Sequence, residues 1–407
     1  MQPLIQTYTS VQITSDSHLT YCTNIHPGQN WVTTFDALKQ YVPQIKARVA
    51  EKKSFGLGLR LSNKASEELG LGENLNQFKT WLSEKGIYVF TMNGFPYGNF
   101  HDERVKDMVH APDWTTDERV AYTNRLFDQL SVLLPEGMEG GISTSPISYK
   151  YWHDGKKATE EAFRKGAANL TEIILHLYTL EAETGKYMHL DIEPEPDGML
   201  ENTEEVLHFF SDYLVPIARS ILINKLGIDE PQAVKLIYRF ITVCYDICHF
   251  SLAFEEPEDT FAKFSKAGIK IGKIQVSAAL KILSNPAGND MIWQALSQFN
   301  EPTYLHQVTE KKGGKVSTYN DLPIVLKNKE QFEELRAHFH VPIFMEQFGV
   351  LHSTQDHILK VVDYLKNNVI CRHLEIETYT WDVLPIALKK DLSESIVREI
   401  EWLVSRL

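Results

Sequence analysis

The sequence predicts an α/β protein folded as a (β/α)8 TIM barrel. Short apolar runs recur eight times and alternate with amphipathic stretches at helical spacing. Strand–helix units in alternation imply a parallel sheet, and the runs are near-continuously apolar, as strands covered on both faces require. Eight strands are the number that closes a barrel, and 407 residues hold one barrel with insertions. An open doubly wound sheet is the alternative, but no Gly-x-Gly-x-x-Gly follows the first strand, which weakens a dinucleotide site.

Strands are expected at 18–26, 55–62, 87–94, 140–146, 187–194, the later half of 233–249, 269–277 and 373–380. Helices are expected at 34–52, 75–85, 116–134, 158–184, 203–224, 257–267 and 354–366, each with apolar residues three and four apart and charges between. Gly86, Gly185 and Gly268 end three of them, as left-handed caps. Residues 279–353 interrupt the alternation. They contain two strand-like runs, 304–308 and 338–344, and a Gly-rich turn at Lys311-Lys312-Gly313-Gly314-Lys315. They read as an insertion between strands seven and eight, a lid or hairpin over the barrel mouth. No repeat, low-complexity tract or linker divides the chain, so 1–407 reads as a single domain with 279–353 inserted in it.

Composition bounds the function. The chain is 43% hydrophobic and carries a net charge of −13, without a concentrated basic patch. That balance repels nucleic acid and anionic membrane surfaces. Four cysteines, Cys22, Cys244, Cys248 and Cys371, are too few and too scattered for a disulfide scaffold, and Cys244 and Cys248, inside an apolar run, read as packing residues in a reducing compartment. The first residues show no basic-then-apolar signal, and no apolar run approaches the roughly 20 residues that span a bilayer. A soluble cytoplasmic protein is expected, with a small molecule as its partner; the oligomeric state is not legible.

The strand ends hold the candidate chemistry. Strand five ends Met188-His189-Leu190-Asp191-Ile192-Glu193, and two prolines, Pro194 and Pro196, stop it at once. Glu193 therefore stands at the tip, where barrel chemistry sits; the plainer alternative is a solvated acidic loop. Strand six ends Tyr245-Asp246-Ile247-Cys248-His249, with Asp246 interrupting an apolar run where a bare carboxylate is costly. A divalent cation would compensate it; so would a buried Asp–His hydrogen bond. Strand eight carries Glu375 and Glu377 on one face by alternation, Glu377 nearer the mouth. Glu193, Asp246 and Glu377 would supply three hard oxygen donors, suited to Mg²⁺ or Mn²⁺, or to Zn²⁺ if a histidine joins. Gln275 at the end of strand seven is the fourth metal-ligand candidate, with His306 and His340 as alternatives if the insertion folds back. His26, Asn93, Tyr97, His101, His249, His306 and Trp381 are candidates for holding a polyol substrate, although Asn, Gly and Pro in these loops also make turns unaided.

Asp246-Ile247-Cys248-His249 resembles the Asp-x-Cys-His strand end of endonuclease IV and its relatives. With Glu193 on strand five and Glu377 on strand eight, the order is that of the xylose-isomerase-like barrel superfamily. Its usual metal set is Glu, Asp, His, Glu, and here Gln275 stands at the histidine position. Longer segments resemble the EboE metabolite-traffic family: 19–28, 93–98, 193–196, 304–308, 340–344 and 377–385. That resemblance implies a sugar-isomerase-like barrel encoded with a membrane prenyltransferase-like protein and a role in handling a small metabolite precursor. The expected activity is that of a metal-dependent sugar isomerase or epimerase, with Glu193 and Glu377 as an acid/base pair. The alternatives are a metabolite carrier on the same barrel, with catalysis lost at Gln275, and a DNA-repair nuclease, against which the net charge argues.

Overall fold

The computed structural model describes residues 17–98, 106–285, 288–381, 383–385 and 391–407. Eight strands form one parallel sheet: β1 (His18–Tyr21), β2 (Phe55–Arg60), β3 (Ile87–Asn93), β4 (Gly140–Thr144), β5 (Met188–Ile192), β6 (Ile241–Asp246), β7 (Ile271–Val276) and, after the strands of the inserted sheet, β14 (His373–Ile376). The order runs β1-β14-β7-β6-β5-β4-β3-β2. β1 meets β2 only at an isolated bridge, Cys22 to Gly58. Side chains finish this seam: the Thr20 hydroxyl donates to Gly56 O (2.8 Å) and accepts from Gly58 N (3.1 Å). Arg60 N likewise donates to Thr23 Oγ1 at 2.9 Å. The barrel is therefore a nearly closed (β/α)8 structure. The helix Glu230–Phe240 fills the first half of the 233–249 run, and β6 lies in the later half, where strand six was expected; Asp229 caps the helix and Pro231 sits in its first turn.

The barrel interior is polar. Lys273 (β7) donates to Glu375 Oε2 (β14) at 2.8 Å and to Met92 O at 3.0 Å, both side chains being wholly buried. Burial alone would lower the Lys273 pKa, but the Glu375 carboxylate outweighs it and keeps the ammonium charged. Gly58 makes room for this pair: a Cβ there would stand 1.7 Å from Glu375 Oε1.

Between β7 and β14 the chain builds a second, six-stranded sheet. Its strands are β8 (Ala279–Leu283), β9 (Val308–Lys312), β10 (Lys315–Tyr319), β11 (Glu334–His340), β12 (Gln347–Phe348) and β13 (Leu351–Ser353). The order is β10-β9-β11-β8-β13-β12, antiparallel throughout. Gly313 and Gly314, both at positive φ, turn the β9–β10 hairpin. The strand runs expected at 304–308 and 338–344 are each displaced by four residues, overlapping β9 at Val308 and β11 at His338–His340, because alternation in the segment is weak.

One expectation is corrected. The continuous helical stretch Thr203–Leu226 is 24 residues long and apolar enough to cross a membrane by length and composition. In this fold it packs in the outer ring against Gly155–Thr184 and Glu230–Phe240, with a π-helical segment at Phe209–Leu214 ahead of Pro216.

Candidate metal centre

Parallel strands bring three carboxylates to one end of the barrel. Asp246 closes β6, Glu193 follows β5 directly, and Glu377 follows β14. Glu193, Asp246 and Glu377 are all buried, and each offers an oxygen within 4.8 Å of the others. Among the described residues none of them forms an ion pair with Lys or Arg; the nearest cationic candidate is His249, 3.8 Å from Asp246 Oδ2 and 4.0 Å from Glu193 Oε1. Burial, followed by mutual repulsion, pushes the Glu193 and Glu377 carboxyls well above the ordinary range.

The three carboxylates are held to different degrees. Asp246 Oδ1 accepts from His249 N (3.1 Å) and Ser277 Oγ (2.6 Å), while Oδ2 has no hydrogen-bond partner among the described residues. Glu193 Oε2 is also buried without one. Glu377 Oε1 accepts from Asn24 Nδ2 (2.8 Å) and Asn93 Nδ2 (3.0 Å).

The inserted sheet folds back over this end and adds imidazoles. The His340 Nδ1–H donates to Glu377 O at 2.6 Å, so Nε2 carries the lone pair, and that buried atom has no partner. His249 Nδ1–H donates to Pro194 O at 2.9 Å. His338 Nδ1 meets Gln307 Oε1 at 2.9 Å, an amide whose orientation is set by its nitrogen donating to Pro196 O at 3.0 Å. His249 and His338 therefore turn two bare Nε2 atoms towards each other, 3.1 Å apart. Burial lowers the pKa of His249, His338 and His340, so all three stay neutral near pH 7. Lone pairs that converge without a proton between them suit a shared cation. Asp246, His249 and His340 form one donor group, and Glu195, His249 and His338 another.

The mouth is lined by Glu193, Glu195, Asn93, His249, Gln307 and His338, among others. Besides Glu193 and Glu377, the substrate-binding candidates Asn93 and His249 belong to it. His340 joins the metal donors, but His306 does not: its ring bridges His338 O (2.8 Å) and Glu301 (2.7 Å), bracing β11. Gln275 is corrected as a fourth ligand. With its amide turned so that the nitrogen donates, it bonds Glu375 O (3.2 Å) and Oε2 (3.0 Å), inside the barrel. Three substrate-binding candidates also lie off the mouth. His26 stacks on Tyr41 (4.5 Å) and bonds the Tyr21 hydroxyl; Tyr97 packs edge-on to Tyr122; Trp381 is buried near Phe344. His101 lies outside the described residues. Sequence reasoning missed Asn24, Glu195, His110 and His338. The signal for His338 was present in His338-Phe339-His340, where a strand's period of two puts both imidazoles on one face. Glu195 meets His110 Nε2 at 2.8 Å, a pairing 85 residues apart that no local pattern announces.

Fold and site together define a (β/α)8 barrel with a mixed carboxylate–imidazole centre at the C-terminal ends of its strands. No protein-family model and no curated protein matches the chain. Solved structures resemble it at low identity. An IolI protein with a bound zinc atom is 12% identical, with 95% of each chain covered and a TM-score of 0.45. A D-tagatose 3-epimerase-like protein is 11% identical, covering 95% of this chain and 96% of its own, with a TM-score of 0.47. A xylose isomerase-like TIM barrel protein from Mycobacterium smegmatis in complex with magnesium is 10% identical over 90% of this chain and 86% of its own, at 0.44. These likenesses concern the fold; the resemblance to the EboE family has no counterpart among them.

Proposed function

We propose that this protein is a divalent-metal enzyme that isomerises or epimerises a small polyhydroxylated or phosphorylated metabolite, as part of metabolite handling of the EboE kind. The observation that carries the reading is the buried triad Glu193, Asp246 and Glu377, with no Lys or Arg ion pair among the described residues and with partnerless oxygens facing inward. Uncompensated buried carboxylates cost several kcal/mol each, and a divalent cation removes that cost. The three carboxylates would hold the ion with His340 Nε2 as nitrogen donor, a set that accommodates Mn²⁺ or Zn²⁺ as well as Mg²⁺.

A bound ion would polarise substrate oxygens. The rest falls to the chain's own groups. Glu193 and Glu377 would take and return a proton at carbon beside a carbonyl. Asn24 and Asn93 fix Glu377 by one oxygen and so orient the other. His249, neutral, offers Nε2 to a substrate hydroxyl, and the 304–307 segment with His338 narrows the entrance against water.

Elemental analysis after equilibration with Mn²⁺ or Zn²⁺ tests this. The wild type should take up at least one ion at the mouth, and Glu193→Gln, which removes one charged donor, should weaken it tenfold or more, about 1.4 kcal/mol or above. A chain that takes up no ion at the mouth would be a carrier binding a cationic or hydroxylated ligand directly. A second enzymatic reading, hydrolysis of a small phosphoester, is favoured by the adjoining Glu195–His249–His338 group, since two neighbouring ions suit in-line displacement. It requires a second equivalent that His338→Gln loses, together with turnover of p-nitrophenyl phosphate.

A further inference from the structure

The opposite end of the barrel holds a donor set that the proposed reaction does not use. We propose that the N-terminal floor of the barrel binds a transition-metal ion between Glu139, His189 and His373. Glu139 immediately precedes β4, His189 is the second residue of β5, and His373 opens β14. Their ligand atoms lie within 4.8 Å of one another.

Both histidines are prepared for a ligand. The His189 Nδ1–H points at Asp191 Oδ1, 2.5 Å away, and Thr242 Oγ1 donates to the same oxygen. In the neutral ring that fixes the tautomer and leaves Nε2 with its lone pair, the carboxylate–histidine arrangement that orients metal-binding imidazoles. His373 is fully buried, yet among the described residues neither of its ring nitrogens forms a hydrogen bond; the Glu139 backbone carbonyl is near enough to act on the ring but falls short of one. A buried imidazole without a partner gains nothing for its lost hydration. The two rings are stacked, 5.3 Å between centroids with planes 28° apart, and each brings a nitrogen into the same donor group.

The backbone is cut away to admit this group. At Gly272 a Cβ would stand 2.0 Å from Asp191 Oδ1 and 2.6 Å from His189 Nδ1, and at Gly141 it would stand 2.5 Å from His189 Cε1. The β6–β7 register skips Gly272, placing the missing side chain at a bulge. Outside lies a cavity of about 420 Å³ lined by Glu139, Tyr187, His189, Thr242 and Arg372, which gives an entry path. Arg372 pairs only loosely with Glu139, at 3.5 Å. Two imidazoles and one carboxylate form a set for Zn²⁺ or Co²⁺ that leaves a position open to the cavity. Because the donors come from β14 and from the β4–β5 side, the ion would staple the floor across its width.

The test uses the full chain, stripped with a chelator and titrated with Co²⁺, followed by its visible absorption and by elemental analysis. Wild type and His340→Gln should both show a floor-bound equivalent, and His373→Gln should bind it at least tenfold more weakly. Glu139→Gln, at a half-buried rim position that spares the barrel interior, should weaken it likewise and serves if His373→Gln does not fold. Uptake and spectrum unchanged in Glu139→Gln and in folded His373→Gln would overturn the proposal. The mouth site is read separately, from the difference between wild type and His340→Gln, so either site can fail alone.

Discussion

Glu399 allows a pH dependence to be worked out from the structure. It lies on the last helix, Leu392–Val404, is buried, and accepts from Thr378 Oγ1 (2.7 Å) and Ile343 N (3.1 Å). Burial raises its carboxyl from 4.5 to about 7 despite these donors. The unfolded chain therefore releases this proton near pH 4.5, and the folded chain keeps it until about 7. Glu399's contribution is fully present below pH 4.5, declines between 4.5 and 7, and stays low above. At about 1.4 kcal/mol per tenfold change in proton affinity, the total decline is roughly 3 kcal/mol. Glu399→Gln mimics the neutral acid and removes the proton. Urea unfolding followed by circular dichroism from pH 4.5 to 8.5 should show the variant gaining up to about 3 kcal/mol on wild type as the pH rises. The comparison isolates this residue, since other titrating groups act on both proteins. Parallel profiles would refute the account and place the proton elsewhere.

Two further outcomes concern the barrel interior. Lys273→Met should lower unfolding free energy by about 3–5 kcal/mol, because it strands Glu375 in a dry interior; adding Glu375→Gln should recover part of the loss, and equal losses in the single and double variants would show that the pair is not coupled. Gly58→Ala should cost about 1–3 kcal/mol, read from the denaturation midpoint, since the added methyl meets Glu375 Oε1 and the Tyr21 carbonyl, 2.8 Å away.

The barrel was legible because its strands are short apolar runs closed by polar or helix-starting residues, a pattern that needs no partner to be read. Strand six was placed in the later half of 233–249, but the helix Glu230–Phe240 ahead of it went unrecognised, since its apolar stripe runs into the strand; Asp229-Glu230-Pro231 was the overlooked start signal. Glu193, Asp246 and Glu377 could be placed at one end because parallel strands share a direction. Gln275 was read as facing the mouth because it ends β7, but its register partner is Glu375, and the amide satisfies itself there. His26 and Trp381 were drawn in by their loops, whereas burial against Tyr41 and Phe344 gives them packing roles. Long-range partners such as His338 and Gln307 depend on how the inserted sheet docks, which period and propensity do not encode.

The seam between β1 and β2 has a bearing on how relatives of this protein should be interpreted. Asn24 follows β1 and Asn93 ends β3, so they stand on either side of β2, and both grip the same oxygen of Glu377. That carboxylate is thus a clasp where the ladder is weakest. Selection for a closed barrel would preserve an acceptor at this position in a descendant that had given up chemistry altogether. Persistence of Glu377 across a lineage would therefore be poor testimony for catalysis, and Glu193, which has no such second employment here, would be the better witness.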